Sequence, residues 1–373
     1  MARTVIGVNS PNAVKKYSAS LWVDTVAQAY WSPKFFGKGD TSKMPIQVLT
    51  ELESDAGEEI KYDLLMQLRM EPVMGDDVLE GKEEAMRFST DSVYIDQFRC
   101  GSNAGGRMTR KRTLHDLRQK ARIQQADWWA RFMDELCFIY ISGARGANDN
   151  YIIGSKIKQV ESVNPITAPD ANHQFYGGAA TAFGNLAPTD KMSLALIDRM
   201  IVRAQTQGGG ATGIPVLQPT RWNGGEENYV LVMHPWQEQD LRNEAGDNTW
   251  LAWNKALTTA VGNKSPIFSN SLGGYRNVVL HSHRNAIRFN NAGASGDVSA
   301  ARALFMGAQA GVISFGSPGT GNRINWYEEL RDNGNQVVIT SSSIMGMKKS
   351  TFELDGKKQD MGVFALDTAA AER

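Results

Sequence analysis

Met70-Glu-Pro-Val-Met-Gly-Asp-Asp-Val-Leu-Glu-Gly-Lys-Glu-Glu84 is acidic, rich in turn formers and too polar to lie in a core. It stands between two stretches of strand composition, Ile60-Lys-Tyr-Asp-Leu-Leu-Met-Gln-Leu68 and Val93-Tyr-Ile-Asp-Gln-Phe98, whose apolar side chains alternate in part. Ends that pair as strands around a polar middle predict a long projecting β-loop. Working outward, Glu51 to Asp91 carries 13 acidic against 4 basic side chains, an excess of 13 − 4 = 9 negative charges. Arg99 to Arg122 reverses the sign, with 8 Lys or Arg against Asp116 alone, 8 − 1 = 7 positive. An arm of one sign joined to a base of the other is self-complementary between copies, in a ring or lattice. The competing reading is a solvated acidic loop that folds back on its own basic helix.

Beyond the basic run lies the strongest helix signal. Thr109 or Thr113 is placed as N-cap, and apolar side chains follow at Leu114, Leu117, Ala121, Trp128, Phe132 and Leu136. Ser142-Gly143 ends the run, with Gly143 suited to the left-handed residue past a helix. Thr113–Ser142 at 1.5 Å per residue gives a rod of roughly 45 Å, long enough to be a spine.

The whole chain of 373 residues has zero formal net charge, 42% hydrophobic and 21% charged residues, the balance of a folded protein with a sizeable core. Zero net charge argues against a dedicated nucleic-acid binder, which needs a Lys/Arg surplus. Cys100 and Cys137 are expected as two thiols rather than a disulfide. The start lacks the apolar core of a signal peptide, and no run of 18 apolar residues occurs, so synthesis in the cytosol and no membrane contact are expected.

Met1 to Lys43 is an arm spotted with aromatics, among them Trp22, Trp31 and Phe36, with a helix expected over Asn12 to Tyr30. Ala144 to Thr189 lacks periodicity and is expected as a surface excursion. Helices are expected over Ser193–Gln207, Pro235–Asn243 and Trp250–Val261, and strands over Tyr229–Met233, Asn277–His283, Asn325–Glu329, Gln336–Thr340 and Gly362–Asp367. Ala300–Ser314 fits either a helix or a strand. Elements alternate irregularly, an α+β pattern rather than a repeat.

Chemistry is poorly represented. Gly208-Gly-Gly-Ala-Thr-Gly213 matches a dinucleotide fingerprint by letters alone, since a helix precedes it and Ile214-Pro215 follows. His281-Ser-His283 has metal-like spacing but no local Cys or carboxylate company, so core or surface histidines are the simpler reading. His234 before Pro235 is expected to cap or buttress the start of a helix. The Gly75–Gly81 segment lacks EF-hand spacing. No catalytic, cofactor-binding or metal residue is assigned, and an enzyme is not expected.

The chain resembles the major capsid proteins of tailed double-stranded DNA bacteriophages, most closely the N4-like podovirus subfamily. The stretches that carry the resemblance run in order along the chain: Leu21-Trp-Val23 with Lys34-Phe-Phe-Gly37, Gly75 to Glu84, Val93 to Arg99, Met108-Thr-Arg-Lys-Arg-Thr-Leu-His-Asp-Leu-Arg118, His234-Pro235, Pro266-Ile-Phe-Ser-Asn-Ser-Leu-Gly273, and Met345-Gly-Met-Lys-Lys-Ser-Thr-Phe352. The resemblance implies the Johnson-type tailed-phage capsid fold. Its parts would be an N-terminal arm (1–45), an E-loop (46–98), a peripheral domain (99–192) with the spine helix (113–142), an axial domain (193–312), and strands returning to the peripheral domain (313–373). It further implies hexamers and pentamers in an icosahedral head around packaged double-stranded DNA. A portal, a separate scaffolding protein and a decoration protein are the partners implied, with assembly in the bacterial host cytoplasm and residence in the virion. An encapsulin-like shell shares the fold and is the nearest alternative.

On this reading the acidic loop residues Asp76, Asp77, Glu80, Glu83 and Glu84 meet a neighbour's Arg107, Arg110, Lys111, Arg112 and Arg118. Trp22, Trp31 and Phe36 are expected to bury apolar interface. An exposed ion pair contributes only ~0–1 kcal/mol, whereas obligate assemblies bury ~2,000–5,000 Å² per contact. Charge is therefore assigned to register and apolar area to strength. Reversal of Glu80, Glu83 and Glu84 to Lys is expected to abolish normal shells. Non-specific DNA contact is expected from Arg3, Lys15 and Lys16.

Overall fold

The computed structural model describes residues 11–39, 42–53, 57–65, 68, 70–154, 164–208, 216–222, 226–244, 273–316, 323–354 and 356–372. The chain opens on an arm helix, Pro11–Gln28. It then turns at Ala29–Trp31 into a short helix, Ser32–Phe35, and a strand, Phe36–Lys38. That strand runs parallel to Ile46–Leu49, which runs parallel to Gly311–Gly316. Ile46–Leu49 therefore belongs to the body, and the projecting loop begins later than residue 46.

A six-stranded sheet continues from Gly311–Gly316 to the fourteen-residue strand Gln336–Lys349, with Asn325–Arg331 and Asp96–Asn103 also paired to that long strand. The spine helix, Leu117–Ser142, crosses this sheet. Trp129 Nε1 donates to Ser341 Oγ at 2.7 Å, and Gln125 Nε2 donates to the Ile339 carbonyl at 3.1 Å. Its C-terminal half, Phe132 to Ser142, is buried all round, as a helix sandwiched between layers must be.

An eight-stranded sheet forms the second layer, in the order Gln174–Tyr176, Val363–Ala369, Val298–Met306, Glu226–Met233, Val278–Ser282 and Gly273–Tyr275. Two further strands, Arg288–Ala292 and Thr220–Trp222, pair with Val298–Met306 and Glu226–Met233. The helix Leu194–Thr206 buries Leu196, Ile197, Met200, Ile201 and Ala204 in a core shared with Leu231, Leu280, Phe305 and Phe364. Ser193 caps it. The helix Pro235–Arg242 starts on a capping box in which His234 Nδ1 accepts from the Trp236 N–H at 3.2 Å, the cap expected of His234.

Several expectations change. The spine starts at Leu117 with Asp116 as N-cap, accepting from the Arg118 and Gln119 N–H groups at 3.0 and 3.3 Å. Thr113 to Asp116 is a break after a separate short helix, Arg107–Arg112, so neither threonine caps the spine. Ala300–Ser314 resolves into two strands, Val298–Met306 and Gly311–Gly316. The closing strand Val363–Ala369 pairs with Val298–Met306 in the eight-stranded sheet rather than returning to the spine's sheet. Residues 144–189 are partly internal: Glu135 accepts from the N–H groups of Ile152 and Ile153 at 3.0 and 2.9 Å, and Tyr151 and Ile153 are buried. A buried spine carboxylate replaces the missing periodicity. Trp250–Val261, Gly209–Gly213, Pro266–Leu272, Arg3 and the side chains of Lys15 and Lys16 lie outside the described residues.

Candidate subunit interface

The projecting loop is an antiparallel hairpin of Glu59–Leu65 and Phe88–Tyr94, a two-stranded sheet of its own. Its base is seated on the body by Ile60 and Val93, which pack with Leu49, Leu52 and Val312. Asp91 is the polar anchor. It forms an ion pair with Lys348, accepts from Tyr62 Oη at 2.8 Å, and accepts from Thr351 Oγ1 at 3.2 Å. Burial alone would raise this carboxyl. The Lys348 hydrogen bond and charge, with the Tyr62 hydroxyl, outweigh burial and hold it below the usual carboxylate range. Where Tyr94 ends the hairpin, its carbonyl passes so close to Gly346 that a Cβ there would lie 1.9 Å away. No other residue fits.

The tip is built by two turns on Gly75 and Gly81, both at positive φ (65° and 83°). Met74 (78% exposed), Val78, Leu79, Met86 and Phe88 all project into solvent. The acidic side chains divide into two sets. Glu84 serves the tip itself, accepting from the Met70 N–H at 2.8 Å and pairing with Arg87 at 3.1 Å. Glu83 accepts from the Gly81 N–H at 2.8 Å. Asp76, Asp77 and Glu80 face outward, Asp77 at 3.9 Å from Lys82.

The basic stretch divides in the same way. Arg110 donates to the Asn335 carbonyl at 3.1 Å, and Arg118 pairs with Glu328 at 2.7 Å, so both brace their own subunit. Arg107, Lys111 and Arg112 are exposed on the short helix, beside Met108 and the wholly exposed Leu114 (103%). Exposed apolar side chains among charges of one predominant sign therefore occur at both places, negative at the tip and positive at the helix. Composition made the charges legible. It did not show which were already taken within the chain, nor that methionines and leucines stood among them.

The arm aromatics lie elsewhere. Trp31 is fully buried in the core of its own chain, 5.0 Å from Phe138, and so presents no interface surface. The cause is Asp134, which accepts from the N–H groups of Tyr30 and Trp31 at 2.9–3.1 Å and draws this turn onto the spine. Trp22 is half-buried, edge-on to Phe315 at 5.6 Å with Arg323 over its face at 5.2 Å. Phe36 is half-buried at the sheet edge.

His281 and His283 sit among Tyr30, Phe35 and Phe138, and burial pushes both down to about 4, as neutral core histidines. Among the described residues no group of three or more His, Cys, Asp or Glu is placed to hold a metal. Cys100 and Cys137 are free thiols, and burial raises both. No described helix is long and apolar enough to cross a membrane.

Residues 5–372 match the family described as "Phage capsid protein". The chain is 28% identical over 353 residues to the major capsid protein of Pseudomonas phage KPP25, covering 89% of each. Among solved structures it is similar to the capsid of Ralstonia phage GP4, with TM-score 0.82 and 43% identity over 100% of this chain and 99% of that one. The capsid of cyanophage Pam1 aligns with TM-score 0.69 at 18% identity, covering 93% and 94%, and shares the fold.

Proposed function

Because this chain belongs to the phage capsid protein family and is the major capsid protein of an icosahedral phage head, we propose that its hairpin tip lies over the short basic helix of a neighbouring copy and sets their register. The Johnson-type fold, self-assembly into shells and a place in the virion come with the family. The register role is this chain's own, and one observation carries it. Asp76, Asp77 and Glu80 on the tip, and Arg107, Lys111 and Arg112 on the helix, are exposed charges within two apolar-centred patches of opposite predominant sign.

The tip is poised for that work. The Asp91–Lys348 anchor and the apolar seat fix the hairpin's direction, which cuts the ordering cost of association. Met74, Val78, Leu79 and Met86 against Met108 and Leu114 supply apolar area; the charges select the partner and its register. Around a closed capsomer each subunit gives one tip and receives one, a head-to-tail ring that closes as a hexamer or a pentamer. Packaged DNA, a portal, a separate scaffolding protein, a decoration protein and assembly in the host cytoplasm complete the proposed setting.

The test is charge reversal at the outward-facing acids. Asp76→Lys, Asp77→Lys and Glu80→Lys together should leave a folded subunit with unchanged Tm. Normal heads, counted by electron microscopy, should fall at least tenfold. Normal heads in normal yield from that triple variant would refute the register role. Glu83 and Glu84 are unsuitable for this test, because both hold the tip's own turns.

A further inference from the structure

Lys349 ends the long strand Gln336–Lys349 with its side chain turned inward, 1% exposed. Its Nζ lies 2.8 Å from both carboxylate oxygens of Asp360, itself buried at the end of the strand Lys357–Asp360. Asp360 Oδ2 also accepts from the Asp170 N–H at 3.3 Å, and the Asp360 N–H donates to Asp170 Oδ2 at 2.6 Å. Asp170 in turn lies 2.8 Å from Nδ1 of His173, which is buried beside Phe364. A primary amine, a carboxyl group, a second carboxylate and an imidazole thus form one cluster, buried except at Asp170, which is partly exposed.

Burial lowers Lys349 and raises Asp360, so both shifts favour the neutral amine and the neutral acid. Burial acts on Asp170 in the same direction as on Asp360. The His173 hydrogen bond and charge, with the Asp360 and Asn172 N–H groups, overcome it and hold Asp170 below the usual range, as an ionised base.

A second fully buried pair serves as an internal contrast. Arg302 meets Asp367 through two contacts of 2.7 Å and donates to the Ser142 carbonyl at 2.8 Å. A guanidinium is permanently protonated and is no nucleophile, so that pair can only be an ion pair. An ammonium that loses its proton on burial becomes one.

We propose that Lys349 and Asp360 condense to an isopeptide bond within the subunit, with Asp170 as the proton carrier. Nζ of the neutral amine attacks Cγ of the neutral acid, and the Asp170 N–H steadies the oxygen that gains charge. The Asp170 carboxylate takes a proton from nitrogen and passes it to the departing hydroxyl. One N–C bond forms, one C–O bond breaks, and water leaves. From the ion pair the balance is ammonium plus carboxylate giving amide plus water, with no oxidant and no net proton change. His173 keeps the Asp170 carboxylate oriented.

The bond would close a covalent ring around the small hairpin Thr351–Leu354 and Lys357–Asp360. That hairpin touches the projecting hairpin near the outer end of its two-stranded ladder, where the Glu353 N–H donates to Ser89 Oγ at 2.9 Å. The lock therefore stiffens the platform from which the tip projects. It stands on the geometry of one subunit and does not depend on how subunits meet.

Mass spectrometry of the full-length protein, free and from particles, decides the matter. The expected intact mass is one water below the sequence mass, after allowing for the initiator methionine. Digestion should yield a branched peptide joining Lys349 to Asp360. Lys349→Arg should return to full sequence mass. Asp170→Asn should show a reduced crosslinked fraction, and Asp360→Asn should lose ammonia instead of water. Full sequence mass in the wild-type protein, with the two peptides separate, overturns the proposal. So does a loss of water that maps to a succinimide at Asp355-Gly356 with no branched peptide, and neither result requires a variant to fold.

Discussion

At the residue scale, Asp134 carries out an unusual task for a carboxylate. It lies on the buried face of the spine and gathers the backbone N–H groups of Tyr30 and Trp31, turning the arm back onto the body. Burial is the dominant influence and pushes it up to about 7, against opposition from those two N–H groups. The folded-state value lies above the unfolded one, so the protonated form is the one folding favours. Its stabilising contribution is complete below about pH 4 and is lost as pH rises through about 7. Asp134→Asn removes this titration. Relative to wild type, the variant's stability should rise by on the order of 2–4 kcal/mol between pH 4 and pH 8. Differential scanning calorimetry of both proteins across that range tests it, and a constant difference would show that Asp134 does not titrate in the fold. The sequence placed Trp31 on a surface because aromatic spacing in an arm does not show what the backbone beside it is bonded to. The pairing spans about a hundred positions, and no local pattern encodes it.

At the element scale, the projecting hairpin was legible because its two strands and polar tip differ so sharply in composition. What holds it was not. Asp91 reads as one more acid in an acidic run. Yet it binds Lys348, Tyr62 and Thr351 and joins the hairpin to a strand more than 250 positions away. Asp91→Ala strips Lys348 of its carboxylate at a site where both side chains are about a tenth exposed. A loss of about 1–3 kcal/mol is expected, concentrated at the hairpin base. Limited proteolysis should then cut the tip between Met70 and Phe88 several-fold faster while global Tm moves little. Unchanged cutting would assign the anchoring to the apolar seat alone.

The spine teaches the same lesson at its start. Leu114 fits the helical spacing but stands in solvent, and the cap lies at Asp116, three residues beyond Thr113, the nearer of the two threonines expected. At its end the expectation held. Gly143 adopts φ 68°, and a Cβ would meet the Thr167 carbonyl at 2.2 Å. A left-handed glycine announces itself in sequence; which of several polar residues caps a helix start depends on where the chain before it must go.

At the scale of the whole molecule, zero net charge conceals a dipolar arrangement whose consequence appears only when copies meet. Let one variant carry the reversed tip (Asp76→Lys, Asp77→Lys, Glu80→Lys) and a second the reversed helix (Arg107→Glu, Lys111→Glu, Arg112→Glu). Within either variant alone, every tip faces a helix of its own sign. Mixed, a reversed tip suits a reversed helix, and the two wild-type patches left over suit each other. Neighbours of different type are therefore matched in both directions around a ring. A six-membered ring can alternate the two variants without a mismatch. A five-membered ring cannot, because an odd cycle must place two copies of one type side by side. A mixture of the two should consequently build hexamer-only sheets or tubes and few closed heads, since icosahedral closure requires five-fold vertices. Placing all six substitutions in one chain restores opposite signs at every contact, and closed heads should return. Electron microscopy of each variant alone, of their mixture and of the six-substitution chain separates the cases. Closed heads forming equally well from the mixture and from the six-fold variant would mean that tip and helix do not meet between neighbours. Loss of salt sensitivity with unchanged shells would mean that they meet without choosing the register.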